Sequence, residues 1–235
     1  MPRLSIEALV ERFPNFRVAV VVGERLTIPQ LRSPRLGAEI AAIEARCRAR
    51  WAATELSAIP DVAAWRGAYR AFGVKKTSYR SSVERLIKRV LADDAIPEVN
   101  ALVDLYNAVS IDFGLCLGCD DLDKIDGDLE FRYSRPSDTF LDMSADEGED
   151  PNDPPKEGEV VYADAAHVLC RRWNWRQDAR TLVTPATRRI VLTAQSNGSG
   201  DVEAAASALV EGLARERGGS CPALVADAGR PALAF

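Results

Sequence analysis

Along the chain, apolar positions recur first at helical spacing and later in alternation. The stretch FRVAVVVGERL, from Phe16, is a nearly unbroken β-branched run that ends at Gly23 and predicts a buried strand. Between Leu36 and Ala53, the residues Leu36, Ile40, Ile43, Cys47 and Trp51 return with charges between them, which predicts an amphipathic helix. A second helix is expected from about Asp61 to Phe72, with Asp61 as its N-cap and Gly73 as its stop. Ser81-Ser82-Val83-Glu84 has the spacing at which serine and glutamate satisfy each other's free amide donors, so a third helix, carrying Arg85, Lys88 and Arg89, is expected there. Pro97 suits the first turn of a fourth, with Val99, Leu102, Val103, Tyr106 and Val109 as its apolar stripe before Gly114.

Beyond the helices the period changes to two. Leu129, Phe131 and Tyr133 alternate with polar neighbours, and EVVYAD, HVLCRRWNW and RRIVLTAQ read as further strands. Between them SADEGEDPNDPPKEGE is acidic, proline-rich and without apolar anchors, the composition of a solvated, mobile loop. DVEAAASALVEGLARERGG is a capped helix ending at Gly218, and SCPALVADAGRPALAF is a tail. No internal repeat is present. The length and the run of helices followed by strands predict one main domain, with residues 220–235 as a tail.

Composition narrows the class. Of 235 residues, 47% are hydrophobic and 28% charged, which is ordinary for a globular chain. The apolar run Val18 to Val22 is far short of the roughly 18–20 residues a membrane span needs, and the N-terminus has no basic-then-apolar signal pattern. Five cysteines form an odd set too sparse for a disulfide scaffold, so reduced thiols and a cytoplasmic location are expected. A net charge of −5 argues against unselective adhesion to nucleic acid. Locally the picture differs: from Arg66 to Arg89 eight cations face Glu84 alone, and from Asp138 to Glu159 nine acids face Lys156 alone.

Cys116-Leu117-Gly118-Cys119 raises zinc and redox chemistry. Structural zinc needs four ligands and catalytic zinc three plus water, yet the remaining candidates are His167, Cys47, Cys170 and Cys221, with no second CxxC or CxxH. A redox dithiol wants its first cysteine at a helix N-terminus after a strand, whereas this one follows a helix. The favoured reading is two small soft residues in a tight loop, with no metal and no cofactor.

The residues around the cysteines carry more information. VDLYNAVSIDFGLCLGCDDLDKIDGDLEFRYS resembles the B3/B4 domain of the beta subunit of bacterial phenylalanyl-tRNA synthetase, through Val103, Asp104, Asn107, Val109, Gly114, Leu117, Asp121, Leu122, Asp123, Ile125 and Gly127. VVYAD and Thr187 with RRIVLTA are similar to two further strands of that family, so the match runs from about residue 64 to 195. The resemblance implies an α+β fold in a single domain over residues 1–219, a β-sandwich of unusual topology flanked by helices, with an N-terminal helical and strand segment. It further implies a free-standing, trans-acting editing protein that hydrolyses the ester of a mischarged tRNA and has no synthetase activity of its own. A non-catalytic module that binds tRNA or an amino acid, as a synthetase accessory or regulator, is the alternative. Its partner is then the aminoacylated 3′ end of a tRNA, with no role for DNA or a membrane. Two departures stand out: Gly118 occupies the family's loop-histidine position, and Arg171, Arg172, Trp173, Asn174 and Trp175 replace its glycine-lined wall.

An aminoacyl ester is already activated, so hydrolysis needs a positioned water and oxyanion stabilisation and no nucleophilic triad. On this reading Asn107 and Ser110 supply hydrogen bonds at a pocket floor, while Arg172 and Asn174 contact the amino acid or the terminal ribose. Asp121 or Glu159 holds the ammonium or the water. Trp173 and Trp175, on one face of a strand, either pack the core or stack on the terminal adenine. Lys75, Lys76 and Arg80 contact phosphates, unless the basic segment is a solvated helix face. Asn107 equally reads as a helix C-terminal cap or a buried hydrogen-bonding residue, and Asp121 and Asp123 as turn formers.

Overall fold

The computed structural model describes residues 2–76, 78–146, 148–198, 200–215, 219–220 and 223–235. Two strands, β1 (Arg3–Ser5) and β2 (Arg17–Glu24), precede four helices: α1 (Pro34–Trp51), α2 (Pro60–Ala71), α3 (Ser82–Leu91) and α4 (Ala101–Phe113). Then follow β3 (Cys116–Asp121), β4 (Leu129–Tyr133), β5 (Val160–Ala163), β6 (Val168–Arg171), β7 (Arg176–Gln177) and β8 (Ile190–Ser196). The chain closes with α5 (Val202–Arg215), β9 (Gly219–Ser220), β10 (Leu224–Ala226) and β11 (Ala232–Ala234). The expected end of α5 at Gly218, like Cys221, lies outside the described residues.

The helices begin where backbone donors find partners. Ser33 caps α1 by accepting from the Leu36 amide, and proline fills the first turn. Helix α2 starts at Pro60 after Ile59, so Asp61 lies inside the first turn, where a carboxylate suits the helix dipole, and is not the N-cap. The fourth helix starts at Ala101, not Pro97, because the Asn100 side chain accepts from the amides of both Leu102 and Val103. Val99 therefore falls outside it and is exposed. Helix α3 follows Ser81 as expected, but without the reciprocal cap: Glu84, 1% exposed, is held by Arg66 and Arg80.

Two sheets result, ordered β11-β1-β4-β5-β6-β7 and β10-β2-β8-β3, with β9 also on β2. All pairings are antiparallel except β1 with β4. The expected α+β architecture of sandwich and helices is thus present. Strand β2 sits in the middle of its sheet, so the N-terminal segment is part of the frame. The C-terminal stretch read as a tail supplies β10 and β11, pairing with β2 and β1.

Strand β5 shows why its sequence does not alternate. Val160 and Tyr162 join the main core, whereas Val161 and Ala163 join Phe140 and Val168 in a second apolar cluster. Both faces are covered, so both parities are apolar. The cover is the acidic segment, which is anchored rather than free along its length. Leu141 bridges to Asn152, Asp142 pairs with Arg176, Asp153 with Arg171, and Glu159 is buried.

Candidate functional site

Register alone assembles a polar strip inside the sandwich. Directly opposed residues of an antiparallel pair share a face, and so do positions i and i+2. Cys116 opposes Gln195 and Gly118 opposes Thr193, so Cys116, Gly118 and Asp120 of β3 share one face with Gln195 and Thr193 of β8. Cys119 takes the other face, toward Tyr106 of α4. The two cysteines therefore lie on a strand, not in a loop, and their sulfurs point to opposite sides of it. Among the described residues no three His, Cys, Asp or Glu side chains gather as a metal site. Burial pushes the Cys116 thiol up to about 11, away from the reactive thiolate.

At one end of the strip the Tyr69 hydroxyl donates to Asn174 Oδ1 at 2.9 Å, Asn174 Nδ2 to Gln195 Oε1 at 3.3 Å, and Gln195 Nε2 to Thr193 Oγ1 at 3.1 Å. All four side chains are buried. At the other end Asp120 Oδ1 accepts from Thr181 Oγ1 at 2.6 Å and from Gln177 Nε2 at 2.9 Å. Gln177 also donates to the Cys119 carbonyl at 2.8 Å, which ties β7 of one sheet to β3 of the other. Between the two ends sits Gly118, half-buried, where an added Cβ would come within 4 Å of Thr193 Oγ1 alone, at 3.9 Å. The missing side chain leaves space in the middle of a polar row.

Asp120 is 4% exposed and has no cationic partner among the described residues. Burial pushes its carboxyl up to about 6, against the lowering pull of the bonds from Thr181 and Gln177; Asp178 and Asp164 add to the rise. Its Oδ2 carries no hydrogen bond among the described residues, and the Tyr162 hydroxyl, buried and unpartnered, feels Asp120 more than any other charge. The carboxylate is thus anchored through one oxygen, and burial raises its affinity for a proton.

The RRWNWR segment departs from expectation. Strand β6 stops at Arg171, and residues 172–175 form the turn into β7, with Arg172 and Trp173 at φ +45° and +68°. Such angles cost non-glycine residues about 1 kcal/mol or more each, so the surroundings must hold them. Trp173 donates its amide to Val160 O at 2.7 Å and Asn174 O accepts from Ser82 N at 3.0 Å. The Trp173 ring is fully buried among Phe13, Phe16, Trp65 and Phe72. It is core, and closed to an adenine. Trp175 is half-buried against Tyr79, and the Arg172 guanidinium lies 3.8 Å from the Tyr79 ring centre and 4.2 Å from that of Trp175.

Other expected site residues have structural duties. Ser110 Oγ donates to Leu115 O at 2.6 Å and closes the end of α4. Asp121 accepts from Thr187 Oγ1 at 2.7 Å and from its own turn at Asp123 N. Glu159 receives Arg171 through two bonds of 2.9 Å and the Arg172 amide at 3.1 Å. Both carboxylates are thus hydrogen-bonded within the frame. Asn107 is half-buried on α4, with no side-chain hydrogen bond among the described residues, while Lys75 and Lys76 are exposed and Arg80 is tied to Glu84. Sequence reasoning reached Asn174 of the strip. It missed Tyr69, Asp120, Gln177, Thr181, Thr193 and Gln195; the available signal was the charge at Asp120, which follows directly on the small and apolar run Cys116–Cys119. A separate, mainly apolar cleft lined by Leu26, Ile28, Pro29, Leu102, Leu105 and Leu213 contains none of the strip residues.

No curated protein matches this chain in sequence. Among solved structures, an N-terminal fragment of the phenylalanyl-tRNA synthetase beta-subunit from Pyrococcus horikoshii aligns over 92% of this chain and 50% of its own, at 13% identity and a TM-score of 0.49. The chain thus spans about half the length of that fragment. No helix among the described residues is long and apolar enough to cross a membrane. The family model described as B3/4 domain matches residues 64–209, more than half of the chain, and the protein belongs to the B3/4 domain family.

Proposed function

We propose that the protein is a trans-acting hydrolase of the ester in misacylated tRNA. The observation that carries this reading is Asp120 beside Gly118: an uncompensated carboxylate with one open oxygen, next to space that a glycine leaves in a polar row. Family membership supports a tRNA-related role. In this mechanism Asp120 Oδ2 takes a proton as water adds to the ester carbonyl carbon. The tetrahedral intermediate then collapses, the ribose oxygen leaves with a proton, and free amino acid and deacylated tRNA result. Asn174 and Gln195 orient the amino acid from one end, with Asn107 at the rim on α4. Lys75, Lys76 and Arg80 take phosphates of the acceptor stem. Asp120 replaces Asp121 and Glu159 as the general base, because their oxygens are already engaged.

Incubating a panel of mischarged tRNAs with the protein tests this directly. At least one aminoacyl class should lose its ester faster with the wild type, and Asp120→Asn should slow that loss about 10²–10⁴-fold, the span of general-base catalysis. Ester loss indifferent to Asp120→Asn would overturn the assignment. Tight binding of one class with its ester intact would favour the non-catalytic binding module instead.

A further inference from the structure

The turn that seals Trp173 into the core presents Trp175 outward, and cations gather around it. Besides Arg172 at 4.2 Å, the Arg176 guanidinium lies 4.6 Å from the Trp175 ring centre. Arg85 Nη1 donates to the Trp175 carbonyl at 3.0 Å, and Tyr79 meets the ring edge-on, with centroids 5.0 Å apart and planes at 81°. Arg172 is 5% exposed, yet its Nη1 has no hydrogen-bond partner, and Glu159, already held twice by Arg171, stands 3.8 Å away. Asp142 pairs with Arg176, but no carboxylate pairs with Arg85, Lys75 or Lys76 among the described residues. Several like charges held near one another by ring faces, with a buried guanidinium donor unused, call for an anion. Aromatic surface beside that anion site suits a base attached to a phosphate.

We propose that Arg172, Arg176, Tyr79 and Trp175 form a seat for an unpaired nucleotide, its phosphate on the two guanidiniums and its base against the open part of the Trp175 ring. The inference deepens the tRNA reading above, which identifies the RNA as a single-stranded 3′ end, but the seat itself rests on these contacts. Desolvation lowers the Arg172 pKa, so an arriving phosphate would relieve a cost already present. A turn made basic for solvation alone would have no reason to bury Arg172 against two rings.

The test uses fluorescence anisotropy of a labelled, uncharged single-stranded RNA, with a base-paired duplex of equal charge as competitor. Trp175→Ala should weaken binding about 5- to 100-fold, the usual loss for one stacked base, and Trp175→Phe should retain most of the affinity. Arg176→Gln, at a partly exposed side chain, should lower the slope of log affinity against log salt by about one. Thermal midpoints identify any variant that fails to fold, and the Arg176→Gln slope then still decides. Wild-type affinity in Trp175→Ala, an unchanged salt slope in Arg176→Gln, or equal competition by the duplex would each overturn the seat. Because the probe has no ester, binding as described without deacylation of charged tRNA would sink the hydrolase and leave the seat standing. Deacylation whose KM ignores Trp175→Ala would do the reverse.

Discussion

Two buried polar regions of this sandwich are built on opposite terms. Where the acidic segment meets β6, Glu159 receives both arms of Arg171 and the Arg172 amide, and Arg171 Nη1 donates to Asp153 O at 2.7 Å. Arg171 is wholly buried, and every charge there has an opposite within reach. Across the sandwich, Asp120 is nearly as buried but meets only neutral donors, with one oxygen unbonded. A buried charge is tolerated when paired and hydrogen-bonded, and is costly otherwise. The first region therefore holds the fold together. The second weakens it, and a weakness retained in a core points to chemistry that needs it.

Opposite substitutions should separate the two regions. Asp120→Asn should abolish most activity, as above, and at the same time stabilise the protein. The native carboxyl titrates near 6, above the unfolded value of about 3.9, so the folded state holds the extra proton between those limits. Its contribution to stability then falls as pH rises through that window and is least favourable above it. The asparagine variant should gain on the order of 2–3 kcal/mol at pH 7.5, and the gain should vanish near pH 4 when followed by urea unfolding. Deacylation by the wild type should likewise fade as pH drops below about 6. At the paired region the sign reverses: Glu159→Gln leaves the buried Arg171 with only the exposed Asp153 as a counter-ion and should cost about 3–5 kcal/mol, with activity reduced only through unfolding. A destabilised Asp120→Asn would erase the contrast.

Smaller effects probe the far end of the strip. Asn174→Ala leaves Tyr69 and Gln195 each short of a buried hydrogen-bond partner, and about 1–3 kcal/mol of stability should go with it in thermal or urea unfolding. Tyr69→Phe combined with Asn174→Ala should cost less than the two changes summed, because the orphaned hydroxyl is removed together with its partner.

How much of this was legible in the sequence follows from which forces are local. Helix α1, with its stripe at Leu36, Ile40, Ile43 and Cys47, was readable because periodicity and burial coincide. Helix starts were less so: Pro97 looked like a first turn, but the Asn100 side chain satisfies two amides and wins by hydrogen bonding. The CxxC seemed to mark a loop, since glycine and cysteine have weak strand preference; its strand exists because β8 pairs along it, a contact about 75 residues away in sequence. RRWNWR appeared to extend β6, but Trp173 turns back into a cage of four aromatic rings, Phe13, Phe16, Trp65 and Phe72, through the left-handed turn at Arg172 and Trp173. The strip itself depends on register between distant strands, which a single sequence does not print. Its faint local trace was Asp120, a charge where the strand pattern expects an apolar residue.

The least perturbing change tests the space at Gly118 most cleanly. Gly118 has no left-handed backbone requirement, and an added methyl would touch only Thr193 Oγ1, at ordinary contact distance. Alanine also restricts the unfolded chain, so Gly118→Ala should leave stability unchanged or raise it by about 0.5 kcal/mol. The same methyl would stand between Asp120 and the Asn174 end of the strip, where the ester and its water are proposed to lie, and should slow deacylation roughly tenfold. Full activity would mean that the substrate lies elsewhere. A loss of stability beyond about 1 kcal/mol would mean that the gap is packed core, closed in the way Trp173 is, and that the strip is polar without being a site.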